Sequence, residues 1–255
     1  MSPDDIRLAH ALADAAGAAI RPFFRAEFAM EQKGDDSPVT AADRAAEAAM
    51  RALIEAERPE DGIFGEEYGV VRGEARRVWV LDPIDGTRAF VTGRPLFGTL
   101  IALVEEGVPA LGVIDQPILR ERWVGARGQP TRFNAMPVST RHCATLDHAH
   151  IGSTAPQAFA EAELHAYGRV AAGARDAIWG GDCYNYGLVA LGQLDAVIEA
   201  NLKLYDFAAL VPVVEGAGGV MRDWQGAPLT AASDGRVVAA GDPRLLAPIL
   251  ARLEG

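Results

Sequence analysis

The stretch Trp79-Val-Leu-Asp-Pro-Ile-Asp-Gly-Thr87 sets two carboxylates three residues apart around a proline and closes on Gly-Thr. Val78 to Leu81 read as a short buried strand. Pro83 fixes its own φ and keeps Leu81 and Asp82 extended, so Asp82 and Asp85 are expected to converge on one point beyond the strand end. Gly86 lets the chain turn at little steric cost, and Thr87 can open a helix whose free N–H groups would face an anion. A hard divalent cation beside a phosphate is one reading of this pattern. A strand followed by an Asx turn and a capped helix uses the same residues and is the other.

Three more acidic segments bear on the choice. Gly65-Glu66-Glu67-Tyr68-Gly69 follows the apolar Ile63-Phe64, where a strand running out into a loop would again present carboxylate oxygens. Ser37-Pro38-Val39-Thr40-Ala-Ala-Asp43 begins an Ala-rich amphipathic helix and supplies another acid near its start. Leu204-Tyr205-Asp206 opens an apolar helix, with Asp206 at the expected N-cap, that closes on Glu215-Gly216-Ala217-Gly218-Gly219. Taken singly, Asp43 and Asp206 read equally well as N-caps, and Glu66 and Glu67 as solvated loop charges.

In this order the four segments resemble the inositol monophosphatase family of magnesium-dependent, lithium-sensitive phosphatases, over nearly the whole chain. The resemblance rests on Gly65-Glu66-Glu67, on Asp82-Pro83-Ile84-Asp85-Gly86-Thr87, and on Asp206 followed by Gly218-Gly219. Within the family the chain looks most like the histidinol-phosphate phosphatases. That branch is indicated by Asp85-Gly-Thr-Arg-Ala-Phe-Val-Thr-Gly-Arg-Pro-Leu-Phe-Gly-Thr99, Gly181-Asp-Cys-Tyr184 and Leu202-Lys-Leu-Tyr-Asp206. Tyr205 stands where many members have Trp, a departure that touches packing and not ligand chemistry.

The resemblance implies an α/β (α+β) fold, a layered αβαβα sandwich, and a site binding two to three Mg²⁺, with Mn²⁺ as a possible substitute. One metal is then expected on Glu66, Asp82 and the carbonyl of Ile84, and a second on Asp82, Asp85 and Asp206. A third, weaker Mg²⁺ near Glu66 would carry the attacking water, its proton drawn through the Thr87 hydroxyl toward Asp43. Asp43, Glu66 and Thr87 are the expected catalytic residues. Gly86 and Thr87 N–H groups would hold phosphate oxygens. Glu199 falls where members grip the leaving group, and Asp182 where inositol-specific members tend to have a small residue. With Asp206 beside them, these acids suit a cationic leaving group, since unpaired carboxylates are costly beside an uncharged cyclitol. Asp182 reads equally as the N-cap of a helix over Tyr184 to Leu191.

Histidinol phosphate, an intermediate of histidine biosynthesis, is the expected substrate, with inositol 1-phosphate as the alternative and a non-catalytic protein-binding scaffold as a third reading. A scaffold has no need of five metal-site acids. A substrate carrying a second phosphate is poorly matched to the extra acids. Cys183 lacks the Cys-x5-Arg loop of a thiol phosphatase, and the five histidines show no zinc spacing.

Composition agrees without pointing to a reaction. The chain has 255 residues, 49% of them hydrophobic, enough to bury a sizeable core. A formal charge of -11 argues against nucleic-acid or anionic-membrane partners; the small phosphate ester that the resemblance implies would be repelled by it, and bound metals would relieve that repulsion. Two cysteines imply no disulfide framework, and no signal peptide or apolar run long enough for a membrane span is visible, so a cytoplasmic setting is expected. The resemblance permits a homodimer.

Helices are expected over Ile6 to Phe24 and Ala41 to Glu57, then strands at Gly98 to Glu105, Val108 to Gln116 and Glu121 to Ala126. These strands would form one antiparallel sheet with the early helices on a face. Shorter elements follow: strands at Ala149 to Gly152, Asp176 to Trp179 and Ala196 to Glu199, and helices at Gln157 to Ala166, Tyr184 to Leu191 and Phe207 to Gly216. A soft boundary between Thr131 and Ala144 divides an N-terminal lobe, residues 1–137, from a C-terminal lobe, residues 138–255. Pro212 is expected to bend its helix.

Overall fold

A computed structural model describes residues 1–26 and 38–255; the Ser37 start expected for the second helix lies outside them. The first helix, α1 (Pro3–Ile20), begins earlier than its apolar pattern because a capping box sets its start. The Asp5 N–H donates to the Ser2 hydroxyl at 3.2 Å and the Ser2 N–H to the Asp5 carboxylate at 3.3 Å. It ends in a 3-10 turn at Arg21–Phe23 that holds Pro22. Helix α2 (Pro38–Glu57) carries Asp43 in its second turn, buried, so Asp43 is not an N-cap.

Strands β1 (Gly62–Gly65), β2 (Gly69–Val71), β3 (Arg77–Asp85), β4 (Gly98–Glu105), β5 (Val108–Gln116), β6 (Glu121–Ala126), β7 (Gln129–Phe133) and β8 (Met136–Pro137) form one sheet, with the five-residue helix α3 (Thr87–Val91) between β3 and β4. The strand order is β2-β1-β3-β4-β5-β6-β7-β8. Every pairing is antiparallel but one: β1 runs parallel to β3, which the expectation of a wholly antiparallel sheet did not include.

A second sheet follows. Strand β9 (His150–Ser153), helix α4 (Glu161–Gly173), strand β10 (Asp176–Trp179), helix α5 (Asp182–Ala190), strand β11 (Ala196–Glu199) and helices α6 (Leu204–Phe207) and α7 (Leu210–Gly216) lead to β12 (Val220–Arg222), β13 (Val237–Ala240) and α8 (Leu246–Glu254). The order β10-β9-β11-β13-β12 is parallel on the β10 side and antiparallel at β13 and β12.

Alternation along the strands assigns each face to a layer. Trp79, Leu81, Ile101 and Leu103 pack with α1 and α2, whereas Val80, Leu100, Ala102 and Val104 face α5 and α7. Val197, Val237 and Ala239 close the other side of that middle layer, while Ile198, Val238 and Ala240 turn to α4 and α8. The result is the expected αβαβα sandwich. Being covered on both sides, the central strands read as unbroken apolar runs.

The middle helices lie close on the first sheet because glycines leave room. Gly112 and Gly125 are cross-strand partners on β5 and β6. A Cβ on Gly112 would stand 1.9 Å from the Ala209 carbonyl oxygen, and one on Gly125 would stand 2.2 Å from that of Pro212. Thr131 adds a hydroxyl that donates to the Val213 carbonyl at 2.7 Å. Ala208 and Ala209 keep right-handed helical dihedrals, yet regular helix lapses there, at the carbonyl position that a proline four residues on disrupts. Pro212 therefore coincides with a break in regular helix at the junction of α6 and α7, and α6 carries Asp206 to the acids at the end of β3.

Gly125→Ala is expected to cost about 3 kcal/mol, the upper end for overpacking because the atoms met are backbone, read as a lower urea midpoint at unchanged slope. Gly107→Ala, at a turn with nothing within 4 Å of the added carbon, should cost about 1 kcal/mol for its positive φ alone. Equal shifts for the two would contradict the tight seat of α7.

Candidate active site

Residues three apart on a regular strand face opposite sides, so Asp82 and Asp85 should not meet. They do because β3 does not end at Leu81, as expected, but continues through a bulge. Asp82 pairs with Leu100 and Asp85 with Gly98, three steps on β3 against two on β4. Thr99, the residue opposite the bulge, is fully buried and donates its hydroxyl to the Pro83 carbonyl at 2.8 Å. Sequence reasoning passed over Thr99, although a hydroxyl inside the apolar run of β4 was a visible signal.

Carboxylate oxygens of Asp82, Asp85 and Asp206 all lie within 4.8 Å of one another. Each comes from a different backbone setting. Asp82 is 2% exposed. Asp85 accepts the Cys183 backbone N–H at 2.6 Å, at the first turn of α5. Asp206 sits at N3 of α6, not at its N-cap, and accepts the Lys203 N–H at 2.6 Å. Glu66 joins from the loop after β1; its N–H donates to the Leu81 carbonyl at 3.2 Å, and its carboxyl acts electrostatically on Asp82. Glu67 turns away to Arg44, at 3.5 Å. Tyr205 packs against Phe64, ring centroids 6.0 Å apart, bracing α6 on β1.

The acids hold one another in check. Burial first, then the charges of Asp85, Glu66, Asp206 and Asp43, pushes the Asp82 carboxyl well above the usual range. Burial, with Asp182 and Asp206, does the same to Asp85. Asp43 is raised to about 8 by burial and by Glu67, Glu66 and Glu47. Glu66 reaches about 7 and Asp206 about 6, in both cases chiefly by burial.

Two buried carboxylate oxygens among the described residues, Asp82 Oδ1 and Asp43 Oδ1, have no hydrogen-bond partner. Unpaired buried carboxylate oxygens are costly unless a cation meets them. An all-oxygen set of this kind fits a hard divalent cation and not a soft metal.

The remaining expected residues divide. Thr87 donates its hydroxyl to the Ile84 carbonyl at 3.3 Å, so the Thr87 to Asp43 contact of the expected relay is not formed. Gly86 has φ 90, and a Cβ there would lie 3.1 Å from the Asp182 carboxyl and from Phe97 Cα. Asp182 is not the N-cap of α5; Gly181 is. Asp182 takes a left-handed φ of 43, an uncommon conformation for a non-glycine residue, and lines a cleft of about 150 Å³ with Asp85, Tyr186, Glu199, Asn201 and Asp206.

Burial lifts Asp182 to about 6, partly offset by Arg88. Glu199 is buried in the same cleft and raised to about 7 by that burial. It accepts the Thr154 N–H and the Tyr186 hydroxyl, both at 2.8 Å, so both oxygens already have protein donors. Cys183, fully buried, has its thiol pushed up and protonated, as expected of a residue that is no nucleophile. A larger groove of about 670 Å³ between α1 and β6 contains none of these residues.

Comparison with known proteins matches residues 4–254 to the inositol monophosphatase family. The chain is 48% identical to the chloroplastic bifunctional phosphatase IMPL2 of Arabidopsis thaliana over 96% of its length and 73% of the relative's. A histidinol-phosphatase of Mycobacterium tuberculosis is 37% identical over 89% of this chain and 90% of that one. A solved inositol monophosphatase structure from Zymomonas mobilis is 58% identical, covers both chains completely, and superposes with a TM-score of 0.95.

The raised carboxyls give stability a definite pH slope. Folded carboxyl values above the ordinary ones, about 4, mean that the folded chain holds more protons than the unfolded one, so their contribution is complete at low pH and is lost as pH rises through about 6 to 8. The lowered carboxyls, such as Asp195, act with opposite sign only at lower pH. With chelator present, Tm should therefore fall from about pH 5 to pH 8.5, and added Mg²⁺ should flatten the slope. A chelated Tm independent of pH would contradict the mutual repulsion of the acids.

Proposed function

The chain belongs to the inositol monophosphatase family, and on that premise we propose that this phosphomonoesterase is a Mg²⁺-dependent histidinol-phosphate phosphatase. The observation that carries the proposal is the cleft in which Asp182, held in a left-handed conformation, stands beside the Asp82, Asp85 and Asp206 cage. A phosphate on the cage leaves its alcohol portion in that cleft. Carboxylates there favour a cationic alcohol such as histidinol, with its ammonium and imidazole. The similarity to a histidinol-phosphatase supports the same choice.

Mg²⁺, held by Glu66, Asp82, the Ile84 carbonyl, Asp85 and Asp206, would supply neutralisation of the phosphate and a water of lowered pKa. The chain's own groups do the rest. Gly86 and Thr87 offer backbone N–H groups to phosphate oxygens where β3 turns into α3. Asp43, with an unpartnered oxygen and a carboxyl raised to about 8, is suited to take a proton near neutral pH. The Thr87 hydroxyl is engaged with the Ile84 carbonyl. Asp182 pairs with the cationic leaving group. Glu199, already carrying two donors, adds negative potential and shapes the wall of the cleft.

Inositol 1-phosphate is the second reading, favoured by the 58% identity to a protein whose structure is described as an inositol monophosphatase. Phosphate release measured over both esters with Mg²⁺ separates the two. Histidinol phosphate should show the higher kcat/KM; the reverse order overturns the substrate but not the reaction class.

Asp85→Asn and Asp206→Asn should each lower kcat by about 10²-fold or more with folding intact by circular dichroism, and near-normal rates in either would contradict the ligand set. Asp182→Ala should raise KM for histidinol phosphate about tenfold, roughly the 1.4 kcal/mol expected for one charge-assisted contact in a partly buried cleft, and raise it less for the neutral ester. An equal effect on the two would leave Asp182 a structural residue.

A further inference from the structure

One helical turn beyond Asp43, α2 buries a second carboxylate that is not among the cage acids. Glu47 is 0% exposed. Its Oε2 accepts the Glu67 N–H at 2.8 Å, and its Oε1 accepts the Tyr68 N–H at 3.1 Å and the Arg51 Nε–H at 2.7 Å. Arg51 also donates to the Gly69 carbonyl and lies over the Tyr68 ring, 5.8 Å from its centroid. Gly65 is pressed onto the same carboxylate, where a Cβ would stand 2.0 Å from Oε1. From Gly65 to Gly69, every residue except Glu66 meets Glu47 or Arg51. Glu66 itself is tied through its N–H to Leu81 on β3, which leaves its side chain as the part of the loop directed toward Asp82 and Asp206.

We propose that Glu47 is a positioning residue for the metal site, holding the loop backbone so that Glu66 is placed on the cage before a cation arrives. The proposal rests on reading Glu66 as a metal ligand. A carboxylate is required at position 47 because two N–H groups and a guanidinium must be accepted at once, and only two acceptor oxygens can do so. Glutamine keeps the volume but turns an NH₂ toward one of the loop donors, leaving that donor unpaired or displacing the loop. Apolar substitutes leave all three donors unpaired. No mere packing role explains a buried charge so fully hydrogen-bonded at this one loop.

The test is equilibrium Mn²⁺ binding to the purified full chain, followed by electron paramagnetic resonance, alongside metal activation of phosphatase turnover and the metal-free Tm. For Glu47→Gln, half-saturating Mn²⁺ should rise about tenfold in both binding and activation, the range seen when partners of metal ligands are removed. At saturating metal, kcat should return to within about threefold of the parent, because Glu47 orients a ligand and touches no reacting atom. Unchanged half-saturation with a lower Tm overturns the proposal, since that is the signature of packing alone.

Should Glu47→Gln fail to fold, Arg51→Met serves: it keeps the carboxylate and removes one of its donors, and should raise half-saturation about threefold, a fraction of the full effect. No rise overturns the proposal. A parent chain that takes up no Mn²⁺ overturns the metal reading itself, and this one with it. Parent and variants binding equally tightly overturn positioning alone.

Discussion

The site depends on one extra residue in a strand. Side chains alternate across a sheet with a period of two, and an odd spacing such as that of Asp82 and Asp85 separates them by the full thickness of the sheet. The bulge in β3 cancels the odd step. Proline at its centre removes a donor the ladder would otherwise need, and the Thr99 hydroxyl takes up the Pro83 carbonyl that the bulge leaves free. With that parity restored, the carboxylates converge, and the chain after Gly86 turns into a helix start within reach of them.

Convergence then sets the electrostatics. Gathering Asp43, Glu66, Asp82, Asp85 and Asp206 in one poorly solvated place raises their carboxyls and leaves two oxygens without partners. Relief among the described residues is partial: the Lys203 charge draws Asp206 down, Arg44 is bound to Glu67, and the nearest helix N–H groups serve single oxygens. The packed framework has to hold the acids against their repulsion. It does so through seats that admit no side chain, at Gly112 and Gly125 under the α6–α7 junction and at Gly65 over Glu47. A dense interior is what makes such a cage possible, because a loosely packed one would relax and separate the charges. Cation binding and folding are therefore coupled by sign as well as by place.

Beyond the phosphate end, the cleft is shaped by two acids in different states. Glu199 is already satisfied by Thr154 and Tyr186, while Asp182 holds an uncommon backbone conformation at the mouth of α5. Negative potential in the cleft thus has one fixed and one available source, and on the proposed reading Asp182 is the acid free to meet a cationic alcohol.

Much of this was present in the residue order. The two acids around Pro83, the glycines after them, the acidic pair behind Ile63-Phe64, and the central strands Gly98–Glu105, Val108–Gln116 and Glu121–Ala126 are local patterns, and local patterns survive without a fold. Short β13 and the parallel pairing of β1 with β3 do not announce themselves, since a run of four apolar residues has no period of its own and a partner's direction is set by what lies between. Asp43, Asp182 and Asp206 each looked like a helix cap, and none is one: Asp43 lies in the second turn of α2, Asp182 is the first residue after the Gly181 cap, and Asp206 is at N3, because caps are decided by where the backbone turns and not by the residue type alone. Glu47 went unread because the N–H groups it accepts lie some twenty residues along the chain, and Thr99 because its partner sits on the neighbouring strand. Residue order fixed which acids exist and near which turns; only the packed chain decided which of them face one another, since electrostatic coupling depends on distance through space and the sequence records distance along the chain.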